Sequence, residues 1–174
     1  MGYRSQVGYA IEFSKQHYQG SPDGYTEEMK VKDAYSKQLF YTFLAESKVK
    51  RETMKAWDDE VKDGLYVKTG IAPTSYGCEL TVDEENQHII FRAQDVKWYD
   101  SYEDVDAHNA MITLAEDYIS GNEEERNLGE ENEEYMSYTF VRIGEESDDV
   151  ECKSGGNGET DNYLYPVSSI QWDI

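Results

Sequence analysis

An α+β domain of ferredoxin-like type is predicted by three features of this 174-residue chain. Stretches of apolar–polar alternation and of helical spacing follow one another in the order β-α-β-β-α-β, that of the split βαβ motif. The segment from Cys78 to Ile119 reads most clearly of all, as a hairpin of two strands running into a helix. The length suits a single domain, 1–174, large enough for a real core. The expected form is an antiparallel sheet covered on one face by two helices, with one or two extra C-terminal strands.

Ser5 to Phe13 is the first strand, because Val7, Tyr9, Ile11 and Phe13 alternate with Gln6, Gly8, Ala10 and Glu12. Ser21-Pro22-Asp23-Gly24 is a turn. Thr26 is placed to cap the helix that follows, with Glu27 and Glu28 at the positive end of its dipole. That helix runs to about Ser47 on a face of Leu39, Phe40, Phe43 and Leu44. A shorter helix, Arg51 to Val61, is expected to carry Met54 and Trp57 into the core. Gly64 to Tyr76 is a loop, marked by Gly70, Pro73 and Gly77.

Cys78 to Asp83 alternates as a strand with one buried face. Glu84, Glu85 and Asn86 form a polar turn, and Gln87 to Arg92 returns, richer in β-formers and so more central. The chain passes through Asp95 to Asp100 to Ser101, an expected N-cap, with Glu103 and Asp104 in the first helical turn. Val105, Met111, Ile112, Leu114, Ala115, Tyr118 and Ile119 make the apolar face of this second helix, and Gly121 ends it. Residues 121–134 form an acidic connector, and charges of one sign at this density oppose compaction, so mobility is expected. Tyr135 to Ile143 is a strand with Tyr138, Phe140 and Arg142 on one face and Thr139, Val141 and Ile143 on the other. After a turn at Gly144 to Asp149, Val150 to Lys153 pairs back. Gly155-Gly156-Asn157-Gly158 is a turn, and Tyr163 to Trp172 is a last strand that Pro166 assigns to an edge.

The formal net charge is −21. Residues 1–69 hold 11 Lys or Arg against 11 Asp or Glu, while residues 70–174 hold 5 against 26, so the whole excess lies in the second part. Such a field repels nucleic acid and anionic membranes and attracts basic surfaces, although it also serves solubility alone. The two cysteines, Cys78 and Cys152, stand outside any CxxC or Cys/His cluster and are expected to be reduced thiols of a cytosolic protein. The first residues show no apolar signal core, and no stretch approaches transmembrane length.

No catalytic set, cofactor motif or metal motif is legible. Asp83, Glu84 and Glu85, and likewise Asp148, Asp149 and Glu151, lack the alternating spacing and turn glycine of a calcium loop. His17, His88 and His108 are scattered, and Asp104 and His108, four apart on a helix, suit a surface ion pair. The candidate partner-binding residues are of two kinds. One is a carboxylate surface: Asp100, Glu103, Asp104, Asp106, Glu116 and Asp117 along the second helix, continued by Glu123, Glu124, Glu125, Glu130, Glu131, Glu133 and Glu134. The other is an aromatic cluster of Trp98, Tyr99 and Tyr102, read first as core packing between strand and helix, with an anchor for a protein partner as the sharper alternative.

Three segments carry a resemblance. They are Met1-Gly2-Tyr3-Arg4-Ser5 with Val7, then Asp95-Val96-Lys97-Trp98-Tyr99-Asp100-Ser101-Tyr102-Glu103-Asp104-Val105, then Phe140-Val141-Arg142-Ile143-Gly144-Glu145 followed by Asp148-Asp149-Val150-Glu151. Together they resemble a family of small, uncharacterised proteins of tailed bacteriophages, in register over most of the chain. The resemblance implies a phage product acting in the cytoplasm of the infected bacterium, and it supplies no activity for any residue.

Charge and resemblance together set the functional expectation. It is an acidic, non-enzymatic inhibitor of a bacterial nucleic-acid-binding protein with a basic surface, such as a restriction or CRISPR defence enzyme. Carboxylates would take the place of phosphates, as in a DNA mimic. Two alternatives stand beside it: an interaction or scaffold module using the aromatic patch, and a small-ligand or nucleotide-binding domain, or an enzyme, on the open sheet face.

Overall fold

The structure is a computed structural model that describes residues 5–15, 24–52, 79–100, 102–120, 130–146, 148–158, 160, 164–166 and 170–172. In chain order the elements are β1 (Ser5–Phe13), α1 (Glu27–Glu46), β2 (Glu79–Asp83), β3 (His88–Val96), α2 (Glu103–Ser120), a 3-10 turn (Glu130–Glu134), β4 (Met136–Gly144), β5 (Val150–Gly156), β6 (Leu164–Pro166) and β7 (Ile170–Trp172). β2, β3, β1, β4 and β5 form one sheet in that order, and every neighbouring pair is antiparallel. The fold is therefore α+β and ferredoxin-like, with β5 added outside β4 and β6 and β7 paired separately.

The alternation read in β1 is what builds the core. Val7, Tyr9, Ile11 and Phe13 point to the helix side and are buried together with Ile89, Phe91 and Ala93 of β3 and Met136, Tyr138 and Phe140 of β4. Tyr9 pairs with Phe91 on one side and Phe140 on the other, so one aromatic row crosses the middle of the sheet. From α1, Phe40 and Phe43 meet Phe13 at ring separations of 5.4 and 5.5 Å, and Phe43 also meets Tyr118 of α2. Full burial of such a side chain stabilises by about 1.5–3 kcal/mol. The register between β1 and β3 shifts between Ser5 and Val7, which leaves one extra residue on β3 between Ala93 and Val96. That bulge reverses the alternation and turns Val96 into the helix-side core.

Local chemistry sets the element ends. The Thr26 hydroxyl accepts from the Met29 N–H, and Glu27 and Glu28 fill the first turn, as expected for α1. The polar turn after β2 is held by Asp83, which accepts from the backbone and side chain of Asn86. Gln87 then takes a φ of 56°, and its buried amide donates to the Phe13 carbonyl and to the Ser36 hydroxyl, joining β1, β3 and α1.

Both helices pack on one face of the sheet, as expected. On the far face Ala10, Ile90 and Val141, with Ile143, form a second apolar cluster, where buried Ser137 and Thr139 bond to Thr160. Several other sequence expectations need correction. The expected single strand Tyr163 to Trp172 is instead a hairpin of two three-residue strands lying against β1 and β4, because residues 167–169 separate two short runs that pair with each other. Gly155 and Gly156 are not a turn but the end of β5. A Cβ on Gly155 would come within 2.7 Å of Tyr138 Cε1, and Gly156 has a φ of 88° with no room beside the Met136 carbonyl. Five residues of the acidic connector, Glu130–Glu134, form a 3-10 turn around a fully buried Asn132. At the start of α2 the Tyr102 carbonyl accepts the first helical bond from Asp106, so the cap position falls on Tyr102, and the expected cap Ser101 lies outside the described residues. The helix expected over 51–61 is helical where described, at 48–52, and Met54 and Trp57 lie outside the described residues.

Candidate functional site: an acidic and aromatic cleft

The β3 bulge, the start of α2 and the β4–β5 turn meet at one end of the sheet and enclose an open cleft of about 710 Å³. Its aromatic side is Trp98 and Tyr99, carried out of β3 by the chain beyond the bulge. Trp98 is anchored from below, with its ring 6.0 Å from Phe91, 5.6 Å from His108 and 6.5 Å from Phe140. Tyr99 packs edge-on against Tyr102 at 5.3 Å. Of the expected aromatic patch, Trp98 and Tyr102 therefore both pack against the core, and all three rings are half-buried.

His108 supports this wall and corrects the expected surface ion pair with Asp104. It is 4% exposed, stacked at 4.0 Å on Phe91, and its Nδ1 shares a 2.8 Å hydrogen bond with the Tyr9 hydroxyl. Burial pushes its pKa down to about 3, so the ring is neutral at physiological pH. The reason was readable in the helical stripe: His108 stands three residues after Val105 and three and four before Met111 and Ile112, on the sheet-facing side.

The rest of the cleft is charged. Asp100 and Asp106 come from the start of α2, and Glu146, Asp149 and Glu151 from the β4–β5 turn and β5. Two cations, Arg142 and Lys153, share the same wall. Arg142 makes a two-pronged contact with Asp149, Nη2 to Oδ1 at 2.7 Å and Nη1 to Oδ2 at 3.1 Å, and its Nε lies 3.4 Å from Glu151. The Asp149 carboxylate, ahead of Glu151, raises the arginine pKa. Lys153 Nζ lies 3.7 Å from Glu151. Five carboxylates thus face two cations that are themselves paired with carboxylates, and the cleft is negative.

The expected carboxylate surface divides. Asp100 and Asp106 are in the cleft and Glu103 is exposed at the start of α2. Asp117 is half-buried near the other end of α2, about 16 Å along the axis from Asp106. Glu116 turns inward to accept from the Tyr138 hydroxyl at 2.9 Å, and burial followed by this carboxylate raises the tyrosine pKa. Glu133 and Glu134 are exposed on the 3-10 turn. Glu123, Glu124 and Glu125, and the side chains of Asp104, Glu130 and Glu131, lie outside the described residues. Arg142, Glu146, Asp149, Glu151 and Lys153 were not singled out as one site from sequence. The signal was the hairpin register, which sets Arg142 opposite Glu151 on the helix side.

Among the described residues no group of three or more His, Cys, Asp or Glu is arranged to hold a metal ion. Among them, too, no helix is long and apolar enough to cross a membrane. The fold and cleft define an acidic ferredoxin-like α+β protein with added strands. No protein-family model, curated protein or solved structure matches the chain.

Proposed function

We propose that this protein is a phage-type, non-enzymatic inhibitor that binds a nucleic-acid-binding protein of the bacterial host, a defence enzyme with a basic groove, in the host cytoplasm. The observation that carries the reading is the convergence of Asp100, Asp106, Glu146, Asp149 and Glu151 on one cleft whose two cations are already paired. A basic side chain of the partner entering the cleft meets a negative field and the faces of Trp98 and Tyr99, where a guanidinium gains from both. The exposed Glu103, Glu133 and Glu134 and the overall charge of −21 add long-range attraction and speed encounter. The double variant Asp100→Lys/Asp106→Lys is expected to weaken capture of the partner by roughly tenfold or more, a loss of about 1.4 kcal/mol or greater. Both residues are exposed or half-exposed at the helix start, so the fold tolerates the change. Unchanged capture would remove the cleft from the mechanism.

A second reading rests on the Tyr99–Tyr102 pair, which supports an aromatic contact with a protein partner. Salt separates the two. Carboxylate-led binding falls as ionic strength rises, whereas binding through apolar burial persists.

A further inference from the structure

The sheet edge formed by β5 supports a second inference, independent of the partner. The bonds Gly144 N–H to Asp149 O and Asn157 N–H to Met136 O fix which β5 residues bond to β4. With the register Arg142↔Glu151 and Phe140↔Lys153, those are Glu151, Lys153 and Gly155. The backbone groups of Val150, Cys152 and Ser154 therefore point away from β4. Among the described residues no strand lies on that side. The edge is open to solvent: Cys152, Lys153 and Ser154 are exposed, and Val150 is 42% exposed.

We propose that β5 pairs antiparallel with β5 of a second copy of this chain about a twofold axis at Cys152. The sequence Val150-Glu151-Cys152-Lys153-Ser154 is charge-complementary to itself in that one register. Cys152 exchanges both backbone hydrogen bonds with its twin. The Ser154 N–H of each copy reaches the Val150 carbonyl of the other. Glu151 then stands directly opposite Lys153 of the second copy, twice over, at the positions where side chains approach most closely. An edge lysine ordinarily discourages strand pairing. Here antiparallel self-pairing sets each lysine opposite a glutamate of the second copy, in addition to the Glu151 of its own chain, and among pairings within β5 no other register does so. Repulsion between the two acidic bodies is screened beyond about 8 Å at physiological salt. Glu151 and Lys153 also line the cleft, so this pairing brings two clefts side by side on the helix face.

The test is analytical ultracentrifugation over a range of protein concentrations at physiological salt. Four chains are compared: the native chain, Cys152→Pro, Lys153→Glu and Glu151→Lys, each checked for folding by circular dichroism. Proline at 152 removes an outward N–H and leaves the β4–β5 ladder intact. A concentration-dependent dimer is expected for the native chain and its loss for Cys152→Pro. Lys153→Glu is expected to raise the dimer dissociation constant by roughly tenfold or more, since two favourable pairs become two repulsive ones. Mixing Lys153→Glu with Glu151→Lys restores pairing that neither shows alone. In a Cys78→Ser background, a short bismaleimide is expected to link Cys152 to Cys152. A native chain monomeric throughout, or a dimer indifferent to these substitutions and not linked through Cys152, overturns the proposal. If Cys152→Pro fails to fold, the charge variants and the crosslink decide.

Discussion

Tyr9 and His108 are the pair on which the cleft wall rests. Their 2.8 Å hydrogen bond is buried among Phe91 and Trp98, and the histidine pKa lies near 3 instead of 6.5 because the site disfavours the cation. The unfolded chain takes up a proton here below about pH 6.5, whereas the folded chain does not until about pH 3. Stability is therefore expected to fall as pH drops from 6.5 towards 3, and to lose no more from this group below that. His108→Phe should flatten that limb of a denaturant-midpoint-versus-pH curve. At neutral pH it should cost about 1–3 kcal/mol, because the buried Tyr9–His108 hydrogen bond is lost. An unchanged acid limb would mean that His108 is not the group responsible. Asn132 is a second residue of this type. Its side chain accepts from the Tyr35 hydroxyl at 2.6 Å and donates to the Tyr118 carbonyl at 3.0 Å, so it ties the acidic turn to both helices. Asn132→Asp removes the donor and adds a buried charge, and a loss of about 3 kcal/mol is expected in urea denaturation. A change within error would show that the turn is not held through this side chain.

At the scale of elements, alternation and helical spacing carried most of the information. β1, the β2–β3 hairpin, α1 with its Thr26 cap, α2 and the two faces of β4 were all readable, because each follows a period that one face of burial imposes. What was not readable depends on long-range packing. Gly155 and Gly156 look like a turn from composition, yet they end a strand because Tyr138 and the Met136 carbonyl approach them closely. Gly156→Ala is expected to destabilise by about 2 kcal/mol or more, from positive φ and overlap with backbone, and a melting temperature equal to that of the native chain would contradict this close approach. The C-terminal hairpin was hidden because three-residue strands are too short for a period to show. Asn132 was hidden inside a run of glutamates, where the one neutral amide is the residue that is buried. The cleft was half legible: Trp98, Tyr99, Asp100 and Asp106 were named from sequence. The Arg142 wall required the β4–β5 register to bring separate turn residues beside α2.

Across the whole molecule, the charge asymmetry becomes spatial. The neutral first part supplies β1 and α1 to the core, while the acidic second part supplies every carboxylate of the cleft. A ferredoxin-like core with a bulged third strand and an added β5 is thus a rigid holder for a negative, aromatic-walled recess. The proposed inhibitor role makes this recess the docking point for a basic side chain of a nucleic-acid-binding partner. The most direct measurement is capture from bacterial lysate on immobilised protein, eluted by rising salt and by duplex DNA, with native protein and Asp100→Lys/Asp106→Lys run side by side. A nucleic-acid-binding protein that elutes at moderate salt, is displaced by DNA and is lost from the double variant is the predicted result. A partner held equally by both proteins, resistant to salt and indifferent to DNA, would contradict the account.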